Sequence, residues 1–205
     1  MAIFKLTTNH NGKMEGMISL STAVSCNKNC KERAKIKDSI CSKCYAEKMS
    51  RMYKSLDEML KQNTQALTTS IIPDDELPRV NALYFRFEAF GDLNNDIQVI
   101  NYFNICKKNP GVHFALWTKN PWFIYEAIKA GNKKPKNLVI ILSSPFINKV
   151  VEISDKYDFI DKVFTVYDKE TSKTVNINCG SRKCLECGRC YKKTRQVEYI
   201  NEIIK

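Results

Sequence analysis

Apolar and polar positions change their period several times along this chain, and each change marks a boundary between elements. Residues 17–22 predict a first strand. Residues 45–70 predict a long helix, with Met49, Met52, Tyr53, Leu56, Met59, Leu60 and Leu67 as its apolar stripe. Residues 83–88, Leu-Tyr-Phe-Arg-Phe-Glu, read as a second strand, and 94–108 as a helix stopped by Asn109-Pro110-Gly111. A strand at 112–118 follows, and Pro121 then opens a short helix at the position proline favours. Residues 138–142 are a continuous apolar run, as in a strand covered on both faces. The pattern further predicts a helix from Pro145 to about 156, strands at 163–167 and 175–178, and a last helix over 196–204.

Strand and helix alternating through short loops imply a parallel sheet of the α/β class. Periodicity does not separate a partial barrel from an open sheet. Either way, the working groups of such folds sit on loops after the carboxyl ends of strands. Here those loops carry a cysteine group, Glu88 to Asp92, Thr118-Lys119, Ser143-Ser144 and Tyr167-Asp168. The expected organisation is an α/β domain over 1–170 with an N-terminal cysteine loop. A cysteine-rich, cluster-binding segment with a terminal helix follows over 171–205.

Eight of the nine cysteines form two groups: Cys26, Cys30, Cys41 and Cys44, then Cys179, Cys184, Cys187 and Cys190. Four thiols per group is the number that closes a zinc or iron–sulfur site. In the first group, Lys28, Lys31, Arg33, Lys35, Lys37 and Lys43 surround the thiols and are expected to lower their pKa values. The spacing there fits a zinc site and a cluster equally. In the second group, three cysteines at successive two-residue gaps resemble the ferredoxin run that wraps a [4Fe–4S] cube. Zinc sites more often use two separated knuckles. A third arrangement pairs Cys41 and Cys44 with Cys187 and Cys190 around one zinc ion. Disulfides need a secreted context, and the N-terminus, Met1 to Asn11, holds no apolar signal core. The expected setting is cytoplasmic, with no membrane partner, since no stretch is long and apolar enough to span a bilayer.

Cys44-Tyr45-Ala46, Arg86 with Gly91-Asp92, and Trp117-Thr118-Lys119 resemble a phage-associated family termed gene-product-eighty-eight-like, over roughly residues 17–190. Its members look like compact relatives of the radical S-adenosylmethionine (SAM) barrel. The resemblance implies a partial (β/α) barrel and two [4Fe–4S] clusters, the first of them binding SAM through an open iron. In that superfamily three cysteines hold the cluster in the order Cys-x3-Cys-x2-Cys. This chain departs from the motif: ten residues lie between Cys30 and Cys41, and Cys26 is surplus. Glu88 to Asp92 stands where the superfamily carries the turn that cradles the SAM amino group. Glu88, Gly91 and Asp92 are therefore candidate SAM contacts, joined by the rim residues Tyr45, Lys119 and Ser144. Arg86 is a candidate partner for Glu88, and Asp92 or Asn94 for the free amides of the next helix. The resemblance implies a cluster protein rather than an established reaction; for an enzyme of this kind the expectation is SAM cleavage to a radical that takes hydrogen from an unknown substrate. Electron transfer without SAM is the other iron–sulfur reading.

The formal charge of +11 over 205 residues would fall to about +7 with two four-iron clusters bound. A basic chain of this kind suits an acidic electron donor or nucleic acid as partner, and a zinc-bound nucleic-acid module is a further alternative. Cys106 reads as a small core residue on the apolar face of its helix.

Overall fold

The computed structural model describes residues 4–204. Its frame is one seven-stranded sheet: β1 (Thr7–Thr8), β2 (Ile18–Leu20), β3 (Tyr84–Phe87), β4 (His113–Thr118), β5 (Leu138–Ser143), β6 (Lys162–Tyr167) and β7 (Glu198–Ile203). The strands lie in chain order, β1 to β7. Only β1 is antiparallel to its neighbour, and β2 to β7 run parallel. The sheet is not closed. The helices are α1 (Lys28–Ala34), α2 (Tyr45–Met52), α3 (Lys54–Thr69), α4 (Asp96–Lys108), α5 (Pro121–Lys129) and the single turn α6 (Cys184–Cys187).

Alternate strand residues face opposite sides, and the two sides differ sharply. Phe85, Phe87, Phe114, Leu116, Leu138, Ile140 and Leu142 form one continuous core with Leu67 of α3, Tyr102 and Phe103 of α4, and Ile124 and Ala127 of α5. Cys106 is fully buried in that core. The opposite side carries Tyr84, Ala115, Val139 and Ile141, which pack on Tyr191 from the cysteine-rich segment. The link from β6 to β7 therefore crosses the face that α3, α4 and α5 leave free. In a sheet laid down in chain order, that crossover has the opposite hand to the helical ones.

Four expected elements come out differently. The helix expected at 45–70 is two helices, broken where Tyr53 is extended at φ −120° and ψ 95°. α3 docks through the apolar Leu60 and Leu67 and through two polar residues: the Asn63 amide donates to the carbonyls of Lys5 and Ser21, and the Thr64 hydroxyl accepts from the Ala23 N–H. Residues from Pro145 form no α-helix, because the Pro145 carbonyl is taken by the Ile40 N–H and the Ser39 hydroxyl rather than by a residue in the next turn. Residues 175–178 are not a strand, although the Asn178 N–H still reaches the Asn201 carbonyl.

The expected terminal helix at 196–204 is strand β7. Burial there alternates with period two, Ile200 and Glu202 inward, and all six residues pair with β6. The β-branched Ile200 and Ile203 suit a pleated surface, and the open edge of β6 supplies the ladder. Among the described residues, no helix is long and apolar enough to cross a membrane.

Candidate functional site

The carboxyl ends of the parallel strands meet at a cavity of about 600 Å³. After β3 the chain turns sharply through Glu88, which adopts the left-handed φ of +56° rare for a non-glycine residue. Glu88 is 3% exposed and its carboxylate is held by four donors. The Tyr102 hydroxyl and the Gln98 amide (2.6 Å) donate to Oε1. The Thr22 hydroxyl (2.9 Å) and backbone N–H (3.3 Å) donate to Oε2. Burial pushes the Glu88 carboxyl up to about 8, against the pull of those hydrogen bonds. Arg86 is not its partner, contrary to expectation. Gly91 follows at φ +78°, where an added Cβ would lie 2.4 Å from the Thr22 carbonyl oxygen and 2.9 Å from Glu88 Oε2.

Asp92 is equally engaged. Its Oδ1 accepts from the Thr118 hydroxyl (2.6 Å) and the Leu93 N–H (2.8 Å), and its Oδ2 from the Lys119 N–H (3.0 Å). Neither Asp92 nor Asn94 caps α4, as had been expected. Asn95 does, accepting from the Gln98 N–H.

The first cysteine loop is fastened to this turn. Asn27 caps α1 by accepting from the Cys30 N–H (3.0 Å), while its amide donates to the carbonyls of Asp92 and Leu93. From the far end of α1, Arg33 donates to the Lys119 carbonyl (2.9 Å) and sits 3.8 Å from Asp92. The Tyr45 hydroxyl, directly after Cys44, donates to the Ala89 carbonyl. These ties bring Cys30, Cys41 and Cys44 to the cavity wall. Cys26 is placed elsewhere: it is exposed and lines a separate open groove with Lys28, Lys61 and Asn95.

The second group forms the facing wall, with Cys179, Cys184, Cys187 and Cys190 all on the cavity. Backbone bonds set their positions: the Cys179 N–H donates to Asn201 of β7, and the Gly188 N–H to Cys184 as α6 ends. Gly188 is left-handed at φ +59°, and a Cβ there would strike the Tyr84 hydroxyl at 2.6 Å. Tyr191 stacks on Tyr84 with ring centroids 4.8 Å apart, fixing the segment to the sheet.

Burial raises the thiol pKa values of Cys30, Cys179 and Cys184, and pushes Cys190 up to about 12. The depression expected from the basic residues around the first group is outweighed at Cys30. For Cys30 the Asp92 charge adds to the rise, and Lys119 only partly offsets it. Among the described residues, no three Cys, His, Asp or Glu side chains are gathered as one metal ion requires. The seven thiols are instead distributed over two sides of a shared space.

Of the other candidates, Tyr45, Glu88, Gly91, Asp92 and Lys119 line the cavity. Ser144 does not. Its hydroxyl accepts from the Phe146 N–H and bonds the Lys149 carbonyl, and Ser143 takes the wall position. Sequence reasoning passed over Lys13, Met14, Arg86, Trp117 and Glu202 as site residues. Lys13 pairs with Glu202 and lies 3.8 Å from the Cys179 sulfur. Arg86 stacks over Trp117 at 3.9 Å. Its signal was present, since an arginine amid the apolar residues of a buried strand needs a reason.

A family model described as gene product 88 matches residues 4–198. No curated protein and no solved structure matches the chain.

Proposed function

The chain belongs to the gene product 88 family, and we propose that it is an iron–sulfur protein with two [4Fe–4S] clusters, the first of the radical-SAM kind. The donor set suits such clusters: seven thiols face one cavity, and neither histidine lies on its wall. The sequential order of parallel strands β2 to β7, with α3, α4 and α5 on one face, is compatible with a partial (β/α) barrel.

One observation carries the reading. Cys30, Cys41 and Cys44 face the cavity while Cys26 faces away. Three thiolates ligate three irons of a cube and leave the fourth iron free, which is the condition for SAM binding in the superfamily this chain resembles. A reduced cluster of that type supplies the electron that cleaves SAM. Cys179, Cys184, Cys187 and Cys190 would hold the second cluster across the cavity.

The protein's own part is placement. Tyr45 braces the loop after Cys44 against Ala89, and Arg33 and Asn27 lock α1 to the Gly91–Asp92 turn. Glu88 and Asp92 spend their oxygens on protein donors. In this reading they set the path of the turn that faces SAM instead of gripping its ammonium.

The test is iron, sulfide and zinc analysis of anaerobically purified protein, followed by reduction with SAM. About eight irons per chain are expected. Cys26→Ala should retain them, Cys30→Ala should lose about half, and the reduced protein should release deoxyadenosine and methionine. Zinc in place of iron overturns the reading. Loss of iron in Cys26→Ala, or an intact cluster that releases no deoxyadenosine, would leave an electron carrier.

A further inference from the structure

The cavity holds a cation whose hydrogen bonds are unspent. Arg86 projects from β3 toward the cysteine-rich side, and Trp117 of β4 lies under its guanidinium at 3.9 Å, diagonally across the strand pair. Its Nη1 donates only to the Met14 sulfur at 3.1 Å, a weak acceptor. Its Nε is buried and has no acceptor among the described residues. The carboxylates on the same wall are all committed. Glu202 is taken by Lys13, Glu88 by Tyr102, Gln98 and Thr22, and Asp92 by Thr118, Lys119 and Arg33.

A guanidinium taken out of water needs an anion or strong acceptors to repay its desolvation. Its flat fork matches the two oxygens of a carboxylate or phosphate, and a stacked indole fixes the plane in which that fork opens. We propose that Arg86, seated on Trp117, anchors the carboxylate or phosphate group of a small acidic ligand bound between the two cysteine walls, distinct from SAM. The inference rests on the cavity and on Arg86, not on the identity of any metal. A protein that holds zinc but binds the acid through Arg86 would defeat the proposed function and leave this site standing.

The competing role for Arg86 is to offset the charge of thiolates at Cys184 and Cys190, with which it interacts electrostatically. Anaerobic calorimetry of the full-length protein as purified separates the two. The probes are sodium succinate and sodium phosphate, with sodium chloride at matched ionic strength and a parallel series in saturating SAM. Saturable one-site binding of at least one probe is expected, unaffected by SAM. Arg86→Gln should weaken it roughly 10- to 100-fold. Arg86→Lys keeps the positive charge without the fork, covers the case in which Gln does not fold, and should also bind more weakly. The inference fails if neither probe saturates, if SAM displaces the probe, or if a folded Arg86 variant binds as tightly as wild type. An Arg86→Gln protein that loses iron but still binds the probe fully would assign the residue to charge balance alone.

Discussion

At position 91 the left-handed backbone and the nearby Thr22 carbonyl leave room for glycine alone. Gly91→Ala should therefore destabilise the protein by about 1–3 kcal/mol, read as a lower urea midpoint with an unchanged slope. Glu88 gives a prediction with a sign. Its folded-state pKa is raised from 4.5 to about 8, so the fold favours the protonated form. That contribution is fully present below the unfolded value near 4.5 and is lost as pH rises through about 8. Urea denaturation between pH 5 and 9 should show stability falling with pH, and Glu88→Gln should flatten the slope. At this scale the cysteine groups were plain in the sequence, because thiol spacing is a local property. The partners of Glu88 were not, since Tyr102 and Gln98 sit one turn apart on the sheet-facing side of α4, and only the packed helix brings them to it.

Among the elements, β3 to β6 were legible because each is an apolar run with clear stops. The error at 196–204 has a definite physical source: Tyr199, Ile200, Ile203 and Ile204 satisfy a helical spacing as well as a strand one over so short a window. What decides between them is the waiting edge of β6, a tertiary fact. The same pairing brings Glu198 to Lys162, whose side chain is wholly buried. Glu198→Ala would leave that ammonium without its carboxylate. The expected cost lies at the lower end of about 3–5 kcal/mol, because Glu198 is itself a quarter exposed and partly screened. Glu198→Gln should cost less in the same urea titration, and a null effect in both would remove the pair from the account. The missing helix after Pro145 has a similar origin. Its first carbonyl is claimed by Ser39 and Ile40, more than a hundred residues away in sequence.

In the whole molecule the helix-side core and the C-terminal cysteine segment occupy opposite faces of the sheet. Metal removal should act on one face and spare the other. Anaerobic chelation is expected to lower Tm while leaving far-UV circular dichroism nearly unchanged, since the helix-side core that joins the strands to α3, α4 and α5 contains none of the eight clustered thiols. Collapse of the spectrum on chelation would show that metal binding and folding are one event. The α/β class was readable from alternation alone. The single shared cavity was not, because it depends on which face the cysteine-rich crossover takes.

That crossover has a consequence in time. During synthesis the strands emerge from the ribosome in the order in which they lie in the sheet, so the thiols of residues 30–44 come out long before the segment that faces them. Until β7 docks on β6, the cavity they line lacks the wall that residues 179–190 supply. Afterwards the newly made tail covers it. Under the proposed function, loading of the first site belongs to the interval before that last stretch of polypeptide arrives.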